Sequence, residues 1–168
     1  MINDLKLKKA IFLDRDGVIN YDSPEYIKNI DEVRLIPDIV TNLKKIRDYG
    51  FKLFIVSNQS AVGRGIISQL ELEQINSFII STLEKENCKI DGLYFCPHSP
   101  DENCQCRKPS PNMIFQAAKQ HQIDLINSWM IGDKTSDMEA GKNAGCKTYQ
   151  IKTNSSISDA LNFIVKSI

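Results

Sequence analysis

Two carboxylates one residue apart close a short apolar stretch near the start of the chain. Residues 10–13 are apolar, and Asp14, Arg15, Asp16 and Gly17 follow them. In an extended chain the side chains at positions i and i+2 point to the same side, so Asp14 and Asp16 can face one site. Two carboxylates this close repel each other unless a cation lies between them or one carries a proton. Both conditions suit catalysis, although a strand that simply ends in an acidic turn has the same pattern.

A second group of chemically active residues lies in a polar segment that contains proline. Three cysteines and one histidine fall within eleven residues: Cys96, His98, Cys104 and Cys106. Thiolate and imidazole ligands at this spacing suit tetrahedral Zn²⁺, and four protein ligands leave no position open for a substrate. The pattern predicts a structural zinc site. Scattered core thiols are the alternative, but this segment offers no core to bury them. Arg107 and Lys108 follow directly, so the zinc would hold these two cations in place.

The elements that must position these residues follow from the apolar patterning. Five short apolar runs predict strands: 10–13, 51–56, 93–95, 129–132 and 147–151. Capping residues and apolar stripes predict helices that begin near Pro37, Ser68 and Ser110, and over 135–144 and 157–165. Strands that alternate with helices favour an α/β fold with a doubly wound, mainly parallel sheet and helices on both faces. The length fits a single domain over residues 1–168.

The ends of these strands predict where a ligand binds, because open parallel sheets bind ligands beyond the carboxyl ends of their strands. Acids, a hydroxyl, an amide and cations collect there: Asp14, Asp16, Ser57, Asn58, Arg107, Lys108, Asp133 and Lys134. Mg²⁺ prefers oxygen ligands, which Asp14, Asp16 and Asp133 could supply. Lys108 and the Ser57 hydroxyl would then bind phosphate oxygens, where charge develops in a phosphoryl transfer.

Composition excludes several classes of partner. Lys plus Arg and Asp plus Glu both number 21, so no basic field exists to hold a nucleic acid. Residues 1–9 lack the apolar core of a signal peptide, and no run of the sequence is long enough to span a bilayer. We therefore expect a cytoplasmic protein without a membrane partner. In that reducing compartment the five cysteines are expected to bind metal or pack in the core rather than form disulfides.

Over about residues 10 to 150 the chain resembles the haloacid-dehalogenase superfamily of phosphatases. Four motifs carry the resemblance, in the right order: Asp14-x-Asp16-Gly17, Ser57 closing the second strand, Lys108 after the third, and Gly132-Asp133-x-x-x-Asp137 after the fourth. The resemblance implies that Asp14 attacks phosphorus to form an aspartyl phosphate. It also implies that Asp16 protonates the leaving oxygen and later activates water. Mg²⁺ would be bound by Asp14, Asp133 and the backbone carbonyl of Asp16.

Further segments resemble the D-glycero-D-manno-heptose 1,7-bisphosphate 7-phosphatases: 12–17, 57–60, 63–65, the zinc motif and 106–113. That resemblance implies a small phosphorylated sugar as substrate, in the synthesis of nucleotide-activated heptose. It also implies that Arg107 recognises the second phosphate of the substrate. Lys134, beside Asp133, would help hold the negative charges of the site together. The pocket would be lined by two segments: Asp22, Ser23, Pro24 and Glu25, and Asn58, Gln59 and Ser60. No segment is long enough for a separate cap domain, and we expect a monomer.

The related histidinol-phosphate phosphatases share the acid motif, the zinc loop and the Arg-Lys-Pro step, and the short zinc loop of this chain resembles that of the histidinol enzymes and of some heptose enzymes. Histidinol-phosphate hydrolysis is therefore the enzymatic alternative. Two further classes are a phospho-accepting switch and an inactive, zinc-bearing interaction module. Asp16 argues against a switch, because an acid and base beside the nucleophile speeds loss of the phosphoryl group. Competent residues at every catalytic position argue against the inactive module.

Overall fold

A computed structural model describes residues 7–168 of the chain. Part of the segment from which we excluded a signal peptide, residues 1–6, lies outside the described residues. Five strands form the sheet: β1 (Ala10–Leu13), β2 (Lys52–Asn58), β3 (Gly92–Cys96), β4 (Trp129–Gly132) and β5 (Lys147–Gln150). Six helices are described: α1 (Ile39–Asp48), α2 (Ser60–Gly63), α3 (Gln69–Lys85), α4 (Asn112–His121), α5 (Thr135–Asn143) and α6 (Ser158–Lys166).

The sheet is entirely parallel, with strand order β3-β2-β1-β4-β5. The chain moves outward from β1 to β2 and β3, and then returns to the other side of β1 to form β4 and β5. The strand order therefore reverses between β1 and β4, where Leu13 pairs with Ile131. The N–H of Asp14 continues this pairing by donating to the carbonyl of Ile131 at 3.1 Å. Because ligands bind at such a reversal, the predicted acids after β1 and β4 lie at the expected place.

Two apolar layers cover the two faces of the sheet. In β1 the side chains of Ile11 and Leu13 pack in one layer, and those of Ala10 and Phe12 pack in the other. The first layer includes apolar residues of α1, α3 and α6, and the second includes residues of α4 and α5. A strand buried on both faces is apolar throughout, because alternate side chains point into opposite layers. This confirms the doubly wound α/β architecture, in which the described residues show no cap domain.

The structure corrects three predicted boundaries. Strand β2 extends to Asn58 rather than Val56, because Ser57 and Asn58 still pair with Phe95 and Cys96 of β3. Helix α4 begins at Asn112 with Pro111 as its N-cap, and Ser110 instead accepts the Asn112 N–H at 3.3 Å. Strand β3 runs from Gly92 to Cys96 and so extends beyond the predicted 93–95 at both ends.

The predicted start of α3 near Ser68 is confirmed. Ser68 and Glu71 form a capping box, since each side chain accepts the other residue's backbone N–H. Among residues 7–168, no helix combines the length and the apolar character that crossing a membrane requires.

Candidate active site

The carboxylate of Asp14 lies at the reversal point, buried just beyond β1. Its Oδ1 accepts the N–H of Arg15 at 2.8 Å and lies 2.9 Å from the Nζ of Lys108. Burial and the neighbouring Asp137 carboxylate raise the pKa of Asp14 to about 6, against the opposing attraction of Lys108. A carboxylate can attack phosphorus without first losing a proton at any pH above that value.

Lys108 is the buried cation of the site. Its Nζ lies between Asp14 and Asp137, 2.9 and 2.6 Å from their Oδ1 atoms, and donates to the carbonyl of Val56 at 2.7 Å. Burial alone would lower the pKa of Lys108, but the two carboxylates outweigh it and raise the pKa above its usual value. The ammonium group therefore stays charged, as phosphate binding requires.

Asn58 holds the backbone of Lys108. The Asn58 Oδ1 accepts the Lys108 N–H at 2.9 Å, and its Nδ2 donates to the Lys108 carbonyl at 3.1 Å. These two bonds tie the end of β2 to the segment that follows the cysteine-rich loop. The sequence predicts Asn58 only as a pocket residue, whereas its two amide bonds also hold the backbone of the buried cation Lys108.

Three carboxylates form the acidic centre. Oxygen atoms of Asp14, Asp133 and Asp137 lie within 4.8 Å of one another. The Asp133 Oδ2 accepts the hydroxyl of Thr153 at 2.7 Å, while its buried Oδ1 has no hydrogen-bond partner among residues 7–168. A buried carboxylate oxygen without a partner is costly unless a cation is present. A hard divalent cation such as Mg²⁺ fits this all-oxygen donor set.

The glycine of the first motif keeps space beside the acidic centre. Gly17 has φ +88°, and a Cβ atom there would lie 2.7 Å from the Oδ2 of Asp133. Both the backbone conformation and the close approach favour glycine at this position. Gly132 at the end of β4 is equally crowded, since a Cβ there would overlap the Asp137 side chain. Asp137 itself is fully buried, and its Oδ1 lies 2.6 Å from the Nζ of Lys108, so it is part of the acidic centre.

Asp16 is held by hydrogen bonds at the edge of the acidic centre. Arg15 binds both of its oxygens, with Nε at 3.0 Å and Nη2 at 2.9 Å. Asn20 and Gln59 each add an amide donor at 2.8 Å. Burial would raise the pKa of Asp16, but the Arg15 guanidinium and these donors hold it below its usual value. In this arrangement Asp16 is a carboxylate, ready to accept a proton.

A cavity of about 330 Å³ opens over Asp14 and Asp16. Most of the predicted site residues line it: Asp14, Asp16, Asp22, Ser23, Pro24, Asn58, Gln59, Ser60, Arg107, Lys108 and Lys134. Four residues that the sequence analysis did not place in the pocket also line it: Tyr26, Ile27, Ser136 and Asp137. Tyr26 and Ile27 directly follow the predicted segment 22–25, and Ser136 lies between Lys134 and Asp137. Extending the segment 22–25 by two residues and the segment that ends at Lys134 by three would have included them.

Three predicted residues do not line this cavity. Asp133 lies beneath it as part of the acidic centre. The side chain of Glu25 is 85% exposed and approaches Lys28 at 3.8 Å. Ser57 is 1% exposed, and its Oγ accepts the Nε2 of Gln59 at 2.7 Å. Ser57 is therefore joined to the site through Gln59, which also donates to Asp16, and its phosphate-binding role stays a prediction.

Two cations lie near the rim of the cavity. The Nζ of Lys134 lies 3.2 Å from the Oδ2 of Asp22. Burial would lower the pKa of Lys134, but the carboxylates of Asp14, Asp22 and Asp133 raise it. Arg107 donates to the carbonyl of His98 at 3.3 Å, so the cysteine-rich loop positions this guanidinium.

The four predicted zinc ligands come together in one cluster. The Sγ of Cys106 lies 3.0 Å from that of Cys96, 3.6 Å from that of Cys104, and 3.2 Å from the Nδ1 of His98. These sulfurs are too far apart for a disulfide, whose S–S bond is about 2.05 Å. Three thiols and one imidazole fit a closed, tetrahedral Zn²⁺ site. The remaining cysteines, Cys88 and Cys146, are buried elsewhere.

A family model, relatives by sequence and a solved structure all place this chain among the haloacid-dehalogenase-like phosphatases. A family model described as HAD-hydrolase-like matches residues 105–166. A Helicobacter pylori D-glycero-beta-D-manno-heptose-1,7-bisphosphate 7-phosphatase is 46% identical over 144 residues, covering 85% of this chain and 83% of that protein. A Photorhabdus laumondii D-glycero-alpha-D-manno-heptose-1,7-bisphosphate 7-phosphatase is 38% identical over 153 residues, which cover 86% of this chain and 83% of that protein.

A solved structure is similar over nearly the same length. It is a B. bronchiseptica D,D-heptose 1,7-bisphosphate phosphatase complexed with magnesium and phosphate. Its TM-score is 0.81 at 32% sequence identity, covering 86% of this chain and 81% of that one.

Proposed function

Because this chain belongs to the haloacid-dehalogenase-like family of heptose bisphosphate phosphatases, we propose that it hydrolyses the C7 phosphate of D-glycero-D-manno-heptose 1,7-bisphosphate. The observation that carries the proposal is the cavity, which is lined by the Asp14 carboxylate and by three cations, Lys108, Arg107 and Lys134. Lys108 lies 2.9 Å from Asp14, whereas Arg107 is bound to the cysteine-rich loop through the carbonyl of His98. A substrate with two phosphates can use both the cation beside Asp14 and Arg107, whereas histidinol phosphate has only one phosphate.

In the first half-reaction the Asp14 carboxylate attacks phosphorus and the bond between phosphorus and the sugar oxygen breaks. Asp16, protonated in the substrate complex, gives a proton to that oxygen, so the sugar 1-phosphate leaves with a neutral hydroxyl group at C7. In the second half-reaction Asp16 takes a proton from water, which attacks the aspartyl phosphate and releases inorganic phosphate and the free Asp14 carboxylate. The hydrogen bonds from Arg15, Asn20 and Gln59 hold Asp16 in the ionised form that this second step needs.

The proposal includes two metal ions. Asp14, Asp133 and the backbone carbonyl of Asp16 would hold Mg²⁺, with Asp137 beside them, and the ion would neutralise phosphate charge. The unpartnered Oδ1 of Asp133 supports this assignment. Cys96, His98, Cys104 and Cys106 would hold Zn²⁺, which stabilises the loop that carries Arg107.

Residues 22–25 and 58–60 would contact the sugar, as the cavity lining supports for all of them except Glu25. We also propose that residues 1–168 act as a single catalytic domain and a monomer in the cytoplasm. The single five-stranded sheet and the balanced charge of 21 basic and 21 acidic residues support this part of the proposal.

The decisive experiment measures phosphate release from both anomers of heptose 1,7-bisphosphate and from histidinol phosphate, each with Mg²⁺. Relatives named for the beta and the alpha anomer both match well, so both anomers are needed. We expect a higher kcat/KM for at least one heptose anomer than for histidinol phosphate, and no turnover by Asp14→Asn. Preference for histidinol phosphate would overturn the substrate, and absence of any turnover would favour a switch or an inactive module.

A further inference from the structure

Helix α3 carries a polar residue where its buried face should be apolar. Leu72, Ile75, Ile79 and Leu83 form the apolar stripe that packs on the sheet, and Asn76 lies within the same stripe. Asn76 is only 7% exposed, and its Nδ2 has no hydrogen-bond partner in the described part of the chain. A buried amide with an unpaired donor is destabilising, because the group has lost its hydrogen bonds to water. Its presence there needs a reason outside the packing of α3.

The side-chain oxygen of Asn76 makes a contact that accounts for a polar residue at this position. The Oδ1 of Asn76 accepts the Nη1–H of Arg15 at 2.8 Å. Arg15 is 1% exposed, and its Nε and Nη2 bind the two oxygens of Asp16. Gln59 accepts a second bond from Nη2 at 2.8 Å. The rigid, planar guanidinium is therefore held by Asn76 on one side and presents its fork to Asp16 on the other.

We propose that Asn76 is a positioning residue for the general acid of this phosphatase, an inference that rests on the proposed function. By holding one end of the Arg15 guanidinium, Asn76 sets the plane of the fork that binds Asp16, and so sets where the Asp16 carboxyl meets the leaving oxygen. Asn76 itself does not line the cavity of the active site, so it acts only through Arg15. Gln59 touches both Arg15 and Asp16, whereas Asn76 touches only Arg15, which makes Asn76 the cleaner position to test.

The test exploits the chemistry of the leaving group. An alkyl oxygen needs a proton to leave, whereas the stabilised anion of p-nitrophenyl phosphate leaves readily without one. We expect Asn76→Leu to lower kcat/KM by about tenfold on heptose 1,7-bisphosphate, a fraction of the 10²–10⁴-fold that general acid catalysis supplies. The same variant should lower kcat/KM on p-nitrophenyl phosphate by less than about twofold, because formation of the aspartyl phosphate from that substrate depends little on the acid. The comparison uses kcat/KM because it excludes the second half-reaction, in which Asp16 acts as the base for both substrates. A purely structural loss would lower both rates by the same factor.

The matched control is Asn42→Leu. Asn42 is also a buried asparagine on a helix, and it bonds Asp38 and Ser156 rather than any residue of the site. Asn42→Leu should reduce thermal stability as Asn76→Leu does, while leaving the ratio of the two rates unchanged. If Asn76→Leu does not fold, Asn76→Ala removes the same acceptor without adding bulk.

A double-mutant cycle completes the test. If Asn76 acts through Asp16, Asn76→Leu should have no further effect on heptose bisphosphate turnover when Asp16→Asn is already present. Equal losses on both substrates, an undiminished rate on heptose bisphosphate, or full additivity with Asp16→Asn would each overturn the inference. A wild-type protein that hydrolyses p-nitrophenyl phosphate but not heptose bisphosphate would instead overturn the proposed substrate, and the leaving-group comparison would then use another alkyl phosphate.

Discussion

The Nζ of Lys108 lies 2.9 Å from the Oδ1 of Asp14. This ion pair joins residues 94 positions apart, one after β1 and the other after the cysteine-rich loop. The same Nζ also binds Asp137, so a single buried cation separates two buried carboxylates. Without it, the two negative charges would face each other in a region from which water is largely excluded, and Asp14 would favour its protonated form.

We therefore expect Lys108→Met to lower kcat by about 10²–10³-fold. Removal of a single preorganised hydrogen-bond donor from the active sites of other enzymes has an effect of this size. Phosphate release from p-nitrophenyl phosphate with saturating Mg²⁺ measures the effect. Lys152→Met, at an exposed lysine, is the control and should retain wild-type activity. A loss smaller than about threefold in Lys108→Met would show that this cation does not assist the phosphoryl transfer.

Replacing one zinc ligand should destabilise the whole domain. We expect Cys104→Ser to lose bound zinc and to melt at least about 5 °C lower, since each kcal/mol shifts Tm by about 2–4 °C in a chain of this size. Metal analysis and thermal unfolding measure the two effects. Cys146→Ser changes a buried cysteine outside the cluster and should keep its zinc. A Cys104→Ser variant that is fully stable but inactive would instead place the zinc in the chemistry.

The glycines at 63 and 65 should respond differently to alanine. A Cβ at Gly63 would overlap the backbone of Ser99 in the cysteine-rich loop, whereas Gly65 has open space but φ +69°. We expect Gly63→Ala to weaken zinc binding by displacing the loop. Gly65→Ala should lower the stability by about 1 kcal/mol through backbone strain and leave zinc affinity unchanged. Competition with a chromophoric chelator compares the affinities, and equal affinities in the two variants would contradict the steric explanation.

Asp91 gives a prediction about pH that is independent of the active site. Burial would raise its pKa, but the N–H of Leu53 and the cations of Arg47 and Lys52 lower it below the usual 3.8. A lowered folded-state pKa contributes stability that is present above pH 3.8 and is lost as the pH falls through the folded-state value. Asp91→Asn should therefore lower the free energy of unfolding by about 1–2 kcal/mol at pH 7.

The difference between wild type and Asp91→Asn should shrink progressively below pH 4. Urea unfolding at pH 7 and at pH 3 measures it. Asp48→Asn, at an exposed carboxylate near the end of α1, should shift stability only slightly at either pH. A difference at Asp91 that persists unchanged at pH 3 would show that the carboxylate charge does not stabilise the fold.

Part of the site follows directly from the sequence, because strand ends are marked by local patterns. The apolar run 10–13 and the acids after it predict β1 and its catalytic end, and the parallel topology then brings the acid after β4 next to it. The zinc cluster is equally local, since all four ligands fall within eleven residues. Ser57 shows the limit of local reasoning: the sequence predicts a hydroxyl that binds phosphate, whereas in the structure Ser57 is buried and its hydroxyl accepts the side-chain amide of Gln59.

The sequence by itself thus determined three features: strands that alternate with helices along the chain, the acids that follow β1 and β4, and the cysteines and histidine of the predicted zinc site. Each of these depends on periodicity or spacing along a short stretch. Only the tertiary structure decided which distant groups meet. Asn58 holds the Lys108 backbone across 50 residues, and Asn76 reaches Arg15 across 61. Such contacts depend on the orientation of side chains across the packed layers. The pattern of residues within one segment does not indicate which residue of a distant segment its side chains will contact.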